Sequence, residues 1–142
     1  SVNVNRGFMM HSLNDDFYAL TGKIFCRLLN THPAPQVLIY SGFFDIPDQV
    51  DHDQKKCRYF IDTLIWLRDN SYIRYSQLLA VGAADVVLTE KTLRLLNATP
   101  TLLQPRPAPF KESLLDAVKT GENAVIAECV SRIMRYVFNE RK

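Results

Sequence analysis

The chain has 142 residues, 47% of them hydrophobic and 23% charged, with a net charge of +2. That composition is ordinary for a globular protein, and the length fits one domain with its own core. So small a charge excludes the strongly basic and strongly acidic classes, and on its own it implies no nucleic-acid partner. No apolar run is long enough to span a membrane, and no Lys/Arg-led apolar stretch with a small-residue cleavage site opens the sequence. The expectation is a cytoplasmic protein that does not engage a membrane. Cys26, Cys57 and Cys129 are widely separated and each falls in an apolar helical stripe. They read as buried free thiols in a reducing compartment, and their spacing offers no zinc site.

Residues 1–14 are polar and irregular and read as a flexible arm, with Met9 or Met10 as a candidate native start. A helix is predicted over 15–30. Asn14 or Asp15 caps it, and Phe17, Leu20, Ile24 and Leu28 line its apolar side. Gly22 weakens it slightly. Residues 36–40 read as a short strand. Residues 41–53 are irregular, punctuated by Gly42, Pro47 and the acids Asp45, Asp48, Asp51 and Asp53. These acids lack the central Gly and closing Glu of an EF-hand loop. They read as a solvated loop, with Asp51 or Asp53 capping the next helix.

A central helix is predicted over 54–70, because Cys57, Phe60, Ile61, Leu64 and Leu67 keep helical spacing. Asp69-Asn70-Ser71 ends it. Residues 72–75 alternate as a half-buried strand does. Residues 77–84, with Gly82 among small residues, suit a loop, and Val86-Val87-Leu88 a second strand. Thr89 can cap a helix carrying Leu93, Leu95 and Leu96, which Pro100 stops. Residues 98–109 hold four prolines and read as an extended linker. A helical tail follows in two pieces, 111–119 and 122–139, broken at Thr120-Gly121.

The order Leu67, Tyr72-Ile73-Arg74-Tyr75, loop, Val86-Val87-Leu88, Leu88-Thr89-Glu90-Lys91 and then a leucine-rich helix resembles the second half of a winged-helix domain. It looks like the MarR and PadR groups of bacterial transcription regulators, over roughly residues 63–97. Thr92 stands where those groups usually have Gly. The resemblance implies an α+β, mostly helical fold. A winged helix would occupy 15–97, with a hairpin wing that 36–40 could extend to three strands, and the helical tail would follow. It implies that 54–70 is a recognition helix and that the protein is a helix-turn-helix DNA-binding regulator. Lys55, Lys56, Arg58 and Tyr59 would then face phosphates and base edges, and Arg74 would touch the backbone.

Several residues pull the other way. Asp62 lies one turn after Arg58, and Asp51 and Asp53 flank the helix start, where carboxylates repel phosphate. The wing tip, residues 80–84, carries no Arg or Lys. Only residues 42–46 could supply the first helix of a helix-turn-helix. The alternative is a non-catalytic protein-interaction module that keeps the scaffold without reading DNA, its partner bound through wing and tail. The tail stripe, including Ile126, Val130, Ile133, Met134 and Val137, either forms a homodimer seam or folds back on its own chain.

Catalysis finds no support. The sequence has no Gly-x-Ser-x-Gly elbow, phosphate-binding Gly-rich loop or His-Glu-x-x-His. His11, His32 and His52 fall in predicted loops or the arm. Neither a cofactor nor a metal is expected.

Overall fold

The computed structural model describes the backbone of residues 2–44, 54–100 and 108–140, and side chains within 15–44, 54–100 and 108–137. Over these residues the chain is α+β. Its helices are α1 (Val2–Thr31), α2 (Gln54–Asp69), α3 (Glu90–Asn97), α4 (Phe110–Thr120) and α5 (Asn123–Glu140). Its strands, β1 (Gln36–Ile39), β2 (Ile73–Arg74), β3 (Gln77–Leu79) and β4 (Gly82–Leu88), form one small antiparallel sheet. No helix among the described residues is long and apolar enough to cross a membrane. Asp45, Asp48, Asp51, Asp53 and His52, and most of the proline-rich segment, lie outside the described residues. The chain divides into two compact units, Ser1–Cys26 with Arg94–Lys142, and Arg27–Leu93. The division cuts through α1 and α3.

The first unit is helical. α1 starts at Val2, well before the expected start near Asp15. Residues 2–14 contain no proline and a single glycine, so nothing in their backbone chemistry stops a helix from extending. Asn14 and Asp15, read as caps, sit inside it. Gly22 turns out to be a packing notch. A Cβ there would lie 2.6 Å from Ile126 Cγ2, 3.0 Å from Val130 Cγ2 and 3.3 Å from Leu114 Cδ1. α1 therefore approaches α4 and α5 closely at a residue that has no side chain. α4 ends where Gly121 adopts φ +71 and its N–H donates to the Val118 carbonyl, a left-handed stop that suits glycine. The Phe110 and Tyr136 rings meet edge to face at 5.2 Å.

In the tail stripe, Ile126, Val130 and Ile133 are fully buried within the single chain, and Met134 and Val137 are half-buried. Ile126 and Val130 lie against Gly22 of α1.

The second unit is the sheet and the helix on it. β4 is the central strand, with β1 on one side and β2 and β3 on the other. Leu38, Ile73, Ala83, Val86 and Leu88 are buried, and α2 covers the sheet with Phe60, Leu64 and Leu67. Val37 and Ile39 alternate with Leu38 and point the other way, 56% and 39% exposed.

The segment expected as a loop, 77–84, is instead mostly strand. β3 and β4 form a tight hairpin turning at Ala80-Val81, with Leu79 opposite Gly82. Gly82 is needed there because a Cβ would overlap the Leu38 carbonyl oxygen of β1. β2 and β3 pair with β4 in one continuous register, interrupted at Tyr75-Ser76. Opposite the gap Asp85 has φ +56, and the Ser76 hydroxyl donates to Asp85 Oδ2 at 2.6 Å. β1 shifts register between Gln36 and Leu38, so β4 carries a bulge here.

Candidate nucleic-acid interface

α2 supplies the candidate site because its two faces differ in chemistry. Phe60, Thr63, Leu64 and Leu67 form the buried stripe. Gln54, Lys55, Arg58, Asp62 and Trp66 follow at helical spacing on the exposed side, while Lys56 and Tyr59 are half-buried at its border. Arg58 Nε lies 3.5 Å from Asp62 Oδ1, with the two side chains 80% and 58% exposed. An ion pair so open to water contributes little stability, so its arginine is readily surrendered to another anion. Gln54, Lys55, Arg58, Tyr59 and Asp62 line an open depression of about 600 Å³. Arg74 is exposed on β2.

The position of this face is set at both ends of α2. Near the start, the Cys57 thiol donates to the Ala80 carbonyl at 3.4 Å, which holds the first turns against the hairpin turn. At the end, Ser71 takes φ +66, its N–H donates to the Arg68 carbonyl, and the Tyr72 N–H donates to the Leu67 carbonyl. These are the two bonds of a Schellman stop, here with serine in the left-handed position. The stop sends the chain directly from α2 into β2.

The residues that carry the winged-helix resemblance act as a clasp on this junction. Thr89 Oγ1 accepts the Thr92 N–H at 3.3 Å, the expected cap of α3, and its hydroxyl lies 2.7 Å from the Ser71 carbonyl. Lys91 Nζ donates to the Asn70 carbonyl at 2.8 Å and sits 4.1 Å from the Tyr72 ring centroid. Thr92 is fully buried, and its hydroxyl donates to the Tyr72 carbonyl at 2.7 Å. The departure from the usual glycine thus adds a hydrogen bond between α3 and β2. Trp66 stacks on Tyr72 with centroids 5.9 Å apart and planes 11° apart, and Arg68 lies over Tyr75 at 4.9 Å. Sequence spacing pairs Trp66 with Tyr59 on one face. It gives no sign of the Trp66–Tyr72 stack, which needs the turn at Ser71 to form.

Among the described residues no group of His, Cys, Asp and Glu could hold a metal ion. All three cysteines are free thiols. Burial pushes the Cys26 thiol up to about 12, with neighbouring Cys129 adding to the effect. Burial also raises Cys129, against a smaller downward pull from Arg132. Neither is an activated nucleophile. The chain matches no family model, no curated protein and no solved structure.

Proposed function

We propose that this chain is a winged-helix DNA-binding regulator that reads duplex DNA with the outer face of α2. The observation that carries the reading is that Lys55 and Arg58 stand exposed on the face of α2 turned away from its buried stripe. The element order also supports it, with α1, β1, a single 3-10 turn at Tyr40–Gly42, α2, β2, the β3–β4 hairpin and α3 in sequence and β1 paired with β4 of the hairpin. Lys55, Lys56 and Arg58 would contact phosphates and base edges, Tyr59 would pack at the groove wall, and Arg74 would touch the backbone. Asp62 acts as a latch on Arg58, released when a phosphate takes its place. The test is a Lys55→Ala/Arg58→Ala variant. Both side chains are exposed, so its melting temperature should match that of the wild type while DNA binding is lost. Unchanged, salt-sensitive affinity in that variant overturns the assignment of α2.

A second reading is supported by the hairpin. Its turn, Ala80-Val81, is exposed and apolar, with no cation to track a minor groove. On that reading the scaffold is a protein-interaction module, and Val81→Asp breaks an assembly while the α2 variant leaves function intact. A soluble Val81→Asp chain that keeps its assembly counts against it.

A further inference from the structure

Among the described side chains Trp66 is the one exposed aromatic, 42% open to water. A scattered exposed apolar residue is ordinary, but this one is held in place. Its indole lies flat against the Tyr72 ring, with centroids 5.9 Å and planes 11° apart. Tyr72 is itself fixed. It is buried, its N–H donates to the Leu67 carbonyl, and its carbonyl accepts the Thr92 hydroxyl and the Thr89 N–H. The indole is therefore a preset surface, and a ligand that covers it has little side-chain freedom left to remove. Trp66 also continues the exposed stripe of α2. At 3.6 residues per turn, Lys55, Arg58, Asp62 and Trp66 fall within about 80° of one another around the helix. Further cations stand at the same junction. Lys91 Nζ lies 4.1 Å from the Tyr72 ring centroid, and Arg74 is exposed on β2 just beyond Tyr72.

We propose that Trp66 is a base-reading residue of the α2 face, its indole packing on the C5-methyl group of a thymine in the major groove. The inference rests on the DNA-binding reading above and names what that face selects. The occupant follows from chemistry. A stripe that begins with Lys55 and Arg58 attracts a polyanion. The surface that Trp66 adds to it is apolar, with a single N–H donor at the indole rim. Among the base edges of the major groove, the apolar group is the thymine methyl. Trp66 follows Arg58 by about two helical turns, roughly 12 Å along the axis, which covers about three or four base-pair steps. The thymine therefore lies along the same groove from the bases and phosphates that Arg58 meets.

The chain has a single tryptophan, so intrinsic fluorescence reports this residue alone. The experiment titrates the full chain with an alternating A·T duplex, which presents thymine methyls in every register. A second titration uses the same duplex with uracil in place of thymine, which removes only the methyls. The A·T duplex should shield Trp66 from acrylamide quenching. It should bind about four-fold tighter than the uracil duplex for one methyl covered. Trp66→Ala should bind the two duplexes equally, with the salt dependence of the wild type, and Trp66→Phe should restore the preference for thymine. Equal wild-type affinity for the two duplexes, or an unshielded indole in the bound complex, overturns this inference alone and leaves the α2 assignment standing. A thymine preference that persists in Trp66→Ala also overturns it and leaves the indole to a protein partner. No binding of either duplex at low salt overturns both readings.

Discussion

α5 and α2 start from the same sequence pattern, apolar residues repeating at helical spacing, and reach different ends. In α5 the stripe of Ile126, Val130 and Ile133 is consumed inside its own unit, where Gly22 lets α1 come close. In α2 the stripe of Phe60, Leu64 and Leu67 is equally buried, but the opposite face keeps Lys55 and Arg58 in water. Periodicity shows which side of a helix is covered. It does not show what covers it, because own-chain and partner-chain burial demand the same residues. The residue that distinguishes them here is a glycine on another helix.

The largest test of that contrast is at the notch. Gly22→Leu should cost about 3 kcal/mol by overpacking against Ile126 and Val130, which lowers the melting temperature by roughly 10 °C. DNA affinity per folded molecule should not change. If this variant melts like the wild type, α1 and α5 do not pack as described.

The clasp between α3 and β2 should give a smaller effect. Thr92→Val removes the buried hydroxyl that donates to the Tyr72 carbonyl, but that carbonyl keeps the Thr89 N–H as a donor. The expected loss is about 1 kcal/mol by chemical denaturation. A loss several times larger would mean that the α2–β2 junction collapses without it.

pH separates the units in another way. Cys26 is neutral in the folded chain, because burial pushes its thiol from the ordinary value of 9.0 up to about 12. Its contribution is therefore complete below pH 9 and is lost as the pH rises towards 12, because the unfolded thiol ionises first. Stability should fall over that interval in the wild type and fall less steeply in Cys26→Ala. Parallel curves for the two proteins would contradict the burial of this thiol.

The smallest expected change in stability is at the α2 surface. Asp62→Asn should alter stability by less than about 0.5 kcal/mol, since the Arg58 pair is exposed. It should tighten DNA binding several-fold by removing a carboxylate beside the phosphates. Weaker binding would show that Asp62 positions Arg58 instead of competing for it.

Where structure is local, it was legible in the sequence. The bounds of α2, the Thr89 cap and the stop near Ser71 depend on neighbouring residues and agree with their spacing. The hairpin was not, because 77–84 looks like a loop until β1 lies alongside and Gly82 meets Leu38. The N-terminal half of α1 was hidden by its polar composition, which reads as an arm although nothing in it breaks a helix. At the candidate site, the exposure of Lys55 and Arg58 followed from the helical period. The Cys57–Ala80 contact and the Trp66–Tyr72 stack did not, since each joins residues brought together by the turns.

The most direct test of the central claim is the salt dependence of binding to random duplex DNA, followed by fluorescence anisotropy. If α2 and β2 present Lys55, Lys56, Arg58 and Arg74 to phosphates, log affinity should fall linearly with log salt, with a slope up to about −3.6 for four contacts. The Lys55→Ala/Arg58→Ala variant should show no binding over the same salt range. No binding at low salt, or a slope near zero, would contradict the account.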